Sequence, residues 1–143
     1  RLRVPAPPQP EPFIAAAHNP HGAKALGAAL DRDFDFARLI GVLSIFADKD
    51  APGILTALEP YLTEVVITQN SSPRALDAYE LAETARDIYG EERIHVADNL
   101  PGAYAQAVEL AEDAEVQSGS GIIITGSVVT AGDARAMFGK EPV

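Results

Sequence analysis

The sequence predicts an α/β protein folded as a three-layer sandwich: a mostly parallel sheet of about six strands between two layers of helices. Three observations carry this. Short apolar runs alternate with helix-period segments along the chain, most runs are apolar at every position, and each closes on a short polar cluster. A strand apolar on both sides must be covered on both sides. Parallel neighbours also need a crossover helix between them, which the alternation supplies.

Taken in order, residues 2–4 are expected to add one antiparallel N-terminal edge strand, since only a short connector leads to the next run. That connector, residues 5–12, holds five prolines and reads as extended and exposed. Strands are expected at 13–17, 39–46, 64–68, 93–96 and 121–125. Between them, Leu76, Tyr79, Leu81, Ala82, Ala85 and Ile88 mark one face of a helix over 75–89. Ala103, Tyr104, Ala107, Val108, Leu110, Ala111 and Ala114 do the same over 102–115, with Glu109, Glu112, Asp113 and Glu115 largely opposite.

Composition bounds the function. The 143 residues suit one domain, 1–143, and 47% apolar content is enough for a core. Eleven basic against twenty-one acidic residues give a net charge of -10, which argues against nucleic acid and against anionic membrane surfaces. The absence of cysteine excludes disulfides, thiol nucleophiles and thiolate metal sites. Neither a run long enough to span a membrane nor a basic-then-apolar leader is found, so a cytoplasmic address is expected. The chain begins at Arg1 and its single Met is Met137, which reads as a piece of something longer.

Ligands of open parallel sheets bind beyond the carboxyl ends of the strands. The expected strand ends are followed by His18-Asn19-Pro20-His21-Gly22, by Asp48-Lys49-Asp50, by a cluster from Gln69 to Arg74, by Asp98-Asn99, and by Gly126-Ser127. Taken singly, Asn19, Asp50, Ser72, and Asp98 or Asn99 read as helix caps, each with a proline close behind. Ser127 reads either as a cap or as a contact for a carboxylate or phosphate at a helix start. His18 carries a titratable ring ahead of its cap, and is either a packed histidine or a functional one. No phosphate-cradling loop, dinucleotide fingerprint or nucleophile elbow is present. His18, His21 and His95 are too scattered for a metal set, so no metal ligand is assigned.

The run from Ala15 to Ala23, Ala-Ala-Ala-His-Asn-Pro-His-Gly-Ala, resembles the Asp-x-Ala-His-Asn-Pro-x-Gly signature of the C-terminal domain of folylpolyglutamate synthase/dihydrofolate synthase, in the Mur ligase superfamily. Asp48-Lys49-Asp50 matches that family's Asp-Lys-Asp. The stretch from Gly126 to Arg135 resembles its closing Gly-Ser-x-x-x-x-Gly-(Glu/Asp)-x-Arg. The three motifs occur in order, at the ends of expected strands, over nearly the whole chain.

The resemblance implies a Rossmann-like domain of an ATP-dependent ligase that joins L-glutamate to a folate or pteroate carboxyl through an acyl phosphate. It implies an N-terminal P-loop domain, absent from this chain, that carries the Mg²⁺ ligands and most of the folate site. His18 would then be catalytic and near glutamate, Asn19 and Ser127 would contact glutamate, and Arg1 would touch ATP. The family's ATP-contacting Asp is replaced here by Ala15. A lost charged hydrogen bond of about 1.5 to 3 kcal/mol weakens nucleotide binding by roughly ten- to a hundredfold unless something substitutes. Two other readings stand beside this one: a non-catalytic metabolite- or protein-binding module, and a receiver-like domain phosphorylated near Asp48 or Asp50.

Overall fold

The computed structural model of the chain describes residues 4–5, 12–36, 38–112 and 119–139. Strand β1 is Val4–Pro5 and β2 is Pro12–Ile14. Helix α1 (Pro20–Asp33) begins where the Asn19 side chain accepts the Gly22 N–H at 2.7 Å. Pro20 takes the first helical position, where its missing N–H is not needed. Strands β3 (Phe34–Asp35) and β4 (Arg38–Leu43) follow. Helix α2 (Ala51–Leu58) is capped by Asp50, which accepts from the Gly53 N–H at 3.0 Å. Gly53 has no side chain for a reason: a Cβ there would lie 2.6 Å from Pro20 Cγ and 2.3 Å from the Asp50 carboxylate, so the starts of α1 and α2 pack closely.

Strand β5 (Glu64–Ile67) leads to α3 (Ala78–Tyr89), and a single 3-10 turn, Glu91–Arg93, leads to β6 (Ile94–Val96). Helix α4 (Leu100–Glu112) returns to β7 (Ser120–Thr125), and α5 (Val128–Met137) closes the described chain. The cap expected at Ser72 is placed elsewhere. Asp77 caps α3 by accepting from the N–H groups of Tyr79 and Glu80, while Ser72 Oγ accepts from Arg74 N–H in the turn before it.

The main sheet has the order β2-β7-β4-β5-β6, and every pairing in it is parallel. The chain steps from β2 through β4 and β5 to β6 with α1, α2 and α3 on one face. It then crosses back over the other face through α4 and inserts β7 between β2 and β4. Right-handed crossovers require this change of face when the direction of travel reverses. The pleat divides the core accordingly: Leu39, Leu43, Val65, Ile67 and Ile123 pack toward α1–α3, and Ile40, Val42, Val66, Ile122 and Ile124 toward α4 and α5.

The antiparallel edge strand expected at the N-terminus does not form in this way. Val4 and Pro5 pair parallel with Phe34 and Asp35, in a separate two-stranded sheet, and the main sheet has five strands. A short connector forces antiparallel pairing only between strands that are neighbours. Here β1 takes β3, the extended exit of α1, as its partner, and β2 takes β7. The rest of the expected edge strand, residues 2–3, lies outside the described residues.

Candidate functional site

Because all five strands run in one direction, the loops that follow them share one edge. The loop after β7 leaves toward the α5 face, whereas those after its neighbours β2 and β4 leave toward the α1–α3 face. Such a divergence opens a crevice at the strand ends. At this point β4 and β7 approach closely: Gly126 has φ +120°, and a Cβ on it would sit 2.3 Å from the Ser44 carbonyl oxygen. Only glycine accepts both conditions.

Beneath this edge lies a buried network of hydroxyls and one amide. Ser44, Asn70, Ser127 and Thr130 come from the ends of β4, β5 and β7 and from the first turn of α5, and all are buried. Asn70 Nδ2 donates to Ser127 Oγ at 3.1 Å and to Thr130 Oγ1 at 3.0 Å, and its Oδ1 accepts from Ser72 N–H at 3.0 Å. The Asn70 N–H in turn donates to Ser44 Oγ at 2.8 Å. Thr130 donates its hydroxyl proton to the Ser44 carbonyl at 2.9 Å. The Ser127 hydroxyl is therefore left to donate to Thr130 Oγ1 at 2.8 Å, while accepting from Thr130 N–H at 2.9 Å. No buried side-chain polar atom of the set lacks a partner, which is what buried polar groups require.

The residues singled out in the sequence fall around this network. His18 and Asn19 follow β2, and Ser127 follows its sheet neighbour β7, so all three lie on the same edge. His18 is exposed, with Nδ1 3.2 Å from the Ala16 carbonyl. A carbonyl only accepts, so Nδ1 carries the proton in that bond and the neutral ring offers Nε2 as an acceptor. Asn19 is exposed and its Oδ1 serves the α1 cap. Ser127, 1% exposed, has its hydroxyl fully engaged as just described. A ligand reaching its Oγ displaces one of these partners. Ala15 is half-buried and presents only its backbone, accepting from Thr125 Oγ1 and donating to the Ile124 carbonyl. Arg1 lies outside the described residues.

Asp48, in the segment weighed for phosphorylation, ion-pairs with Arg74 at 2.8 Å on the surface. The Arg74 hydrogen bond lowers the Asp48 carboxyl below its ordinary range. The guanidinium also lies over the Phe46 ring, 4.3 Å from its centroid. Further along the same edge, a cleft of about 660 Å³ opens between the start of α4 and the second half of α5, lined by Gln69, Asn70, Ser71, Asp98 and Met137 among others. Its side toward α5 is fixed by Asp133, which accepts from Ser71 N–H at 2.7 Å and Ser71 Oγ at 2.9 Å.

Among the described residues, no group of three or more His, Asp or Glu is placed to hold a metal ion. Nor is any helix among them long and apolar enough to cross a membrane.

Asn70, placed by the sequence on this edge only within the cluster from Gln69 to Arg74, and Thr125 and Thr130, which the sequence does not single out, also belong to the site. Two signals were available: a threonine ending the isoleucine run 122–124, and an asparagine just past β5. A polar residue continuing an apolar strand is buried with it and must find partners there.

Comparison with known proteins agrees with this layout. A family model described as Mur ligase, glutamate ligase domain, matches residues 4–128. The chain is 50% identical over 141 residues to a dihydrofolate synthase/folylpolyglutamate synthase of Mycobacterium tuberculosis, covering 93% of this chain and 29% of that protein. A solved structure of the Mycobacterium tuberculosis folylpolyglutamate synthase complexed with ADP superposes with a TM-score of 0.90 at 48% identity, over 98% of this chain and 34% of that one. A Yersinia pestis bifunctional folylpolyglutamate synthase/dihydrofolate synthase, complexed with AMPPNP and a Mn ion, shares the fold with a TM-score of 0.73 at 23% identity, over 95% of this chain and 30% of its own. The chain thus spans about a third of the length of these relatives. By sequence, by superposition and by the parallel edge that gathers its polar residues, the chain belongs to the Mur ligase family, as a glutamate ligase domain.

Proposed function

We propose that this chain works as the C-terminal domain of a folylpolyglutamate synthase/dihydrofolate synthase, an ATP-dependent ligase that adds L-glutamate to a pteroate or folate carboxyl. The observation that carries this is the half-identity to the Mycobacterium tuberculosis enzyme along nearly the whole chain. In the proposed reaction a carboxylate oxygen of the acceptor takes the terminal phosphoryl group of ATP as ADP leaves, giving an acyl phosphate. The glutamate amine then attacks its carbonyl carbon, the C–N bond forms as the C–O bond to phosphate breaks, and the nitrogen gives up a proton.

In this reading the parallel edge is half of the site. His18, with Nδ1 committed to the Ala16 carbonyl, turns Nε2 as an acceptor to the incoming glutamate amine, near the transferring phosphoryl group. Asn19 and the first turn of α1 meet a glutamate carboxylate, which a helix start favours. Ser127 contributes by exchanging one of its network partners for glutamate. Arg1 and the Ala15 position belong to the ATP side. The positive charge and Mg²⁺ come from an N-terminal P-loop domain, because the described residues of this chain hold no metal cluster and its net charge is -10. The proposed setting is the cytoplasm.

The test is a chimera in which this chain replaces the matching third of the Mycobacterium tuberculosis enzyme. ATP- and glutamate-dependent elongation of dihydropteroate or tetrahydrofolate is expected, and His18→Ala should reduce it. A folded chimera that binds nucleotide yet turns over neither acceptor at any glutamate concentration contradicts the proposal.

A further inference from the structure

Thr125 ends β7 and is fully buried, in a place where valine would fit the apolar run and the strand equally well. A buried hydroxyl costs free energy unless it is bonded. This one is bonded twice, and both partners belong to the segment that leads to His18. The β2–β7 ladder pairs Pro12–Ile14 with Ile122–Ile124 and ends with the Ala15 N–H on the Ile124 carbonyl at 3.2 Å. Beyond it, Thr125 Oγ1 donates to the Ala15 carbonyl at 2.5 Å and accepts from the Ala17 N–H at 3.1 Å. One side chain therefore continues the ladder for two more rungs. The residue between the two tied groups, Ala16, is the one whose carbonyl holds His18 Nδ1. The backbone of Thr125 meanwhile accepts the Ser44 N–H at 3.4 Å, so the same residue joins β4 to this arc.

We propose that Thr125 is a positioning residue: its hydroxyl fixes the arc from Ala15 to Ala17, and through the Ala16 carbonyl it fixes the ring of His18. The consequence for turnover rests on the ligase role proposed above; the consequence for the arc does not. Replacing the hydroxyl by a methyl leaves the Ala17 N–H and the Ala15 carbonyl without their partner while keeping side-chain volume.

The experiment uses Thr125→Val and Thr125→Ser in the isotope-labelled chain. In T125V the Ala17 amide should exchange at least about tenfold faster than in the unsubstituted protein, with the amides of the β4–β5 ladder unchanged and the His18 ring resonances shifted. T125S should restore both. If T125V does not fold, Thr125→Cys, which keeps the size but bonds weakly, takes its place with the same readouts. In the chimera, T125V should lower kcat by about tenfold while leaving the KM for ATP within about twofold, and T125S should recover it. Unchanged Ala17 exchange and His18 resonances in the methyl variant overturn the inference, as does an unchanged kcat in an active chimera. An unsubstituted chimera that is folded but inactive counts against the ligase role instead, and the exchange and ring measurements then decide on Thr125.

Discussion

Substituting Asn70 by alanine probes the link between the three strand ends. The side chain makes three hydrogen bonds, two from Nδ2 to Ser127 and Thr130 and one from Oδ1 to the Ser72 N–H. At about 1 kcal/mol net for each, the loss is about 3 kcal/mol, because buried Ser127 and Thr130 gain no water in exchange. For a chain of this length the unfolding entropy is about 0.3 kcal/mol per degree, so the melting temperature should fall by about 10 °C. Thermal and urea melts followed by circular dichroism measure both quantities. Asn70→Asp is the sharper variant: it keeps shape and the Oδ1 acceptor but removes both N–H donors, and should be destabilised at neutral pH by a similar amount. If Asn70→Ala loses less than about 1 kcal/mol, or Asn70→Asp matches the unsubstituted chain, the network does not hold the edge together as argued.

Three further outcomes are expected. Gly126→Ala combines a positive φ with a 2.3 Å approach to the Ser44 oxygen, and should leave little soluble folded protein, as size-exclusion chromatography and circular dichroism would show. Arg74→Ala should raise the Asp48 carboxyl midpoint toward the ordinary 3.8, read by NMR titration. Since folding lowers that carboxyl, the pair's contribution is present above pH 4 or so and is lost as pH falls through the folded midpoint, and on an exposed pair it is small. Burial pushes the Tyr89 phenol above its ordinary 10.0, so its contribution holds below about pH 10 and is lost as pH rises further. Absorbance titration should therefore show one of the four tyrosines ionising only on unfolding, and Tyr89→Phe, which removes the 2.7 Å bond to the Leu55 carbonyl, should abolish that late component at a cost of about 1 kcal/mol.

The sequence read the layers well where burial and capping decide them. Apolar runs such as 121–125 became β7, the Asn19 and Asp50 caps start α1 and α2 as expected, and Ser127, open in the sequence between a cap and a ligand contact, caps α5. What escaped was decided by partners far along the chain. Nothing local marks Phe34–Asp35 as a strand, because its extended state is completed by Val4–Pro5 some thirty residues earlier. The cap at Asp77 was hidden because Ser72-Pro73 offers the stronger local pattern, yet Phe46 bridges to Ala75 and delays the helix. The site was legible as an edge but not as a network: His18, Asn19 and Ser127 could be named from strand ends, while the partners of Ser127 lie up to 57 residues away at Asn70. The engagement of its hydroxyl depends on those distant groups and could not be read from its neighbours.

The central claim is that one edge gathers the segments after β2, β5 and β7. Because the chain lacks cysteine, a nitroxide attached at Val128→Cys, an exposed position beside Ser127, reports on it directly. Relaxation enhancement should broaden the amides from Ala17 to Asn19 and from Asn70 to Ser72. It should spare Arg38 and Ser120, which lie at the opposite ends of six-residue strands about 20 Å long. Broadening at Arg38 and Ser120 with sharp signals from Ala17 to Asn19 would contradict the shared edge, and with it the proposed half-site.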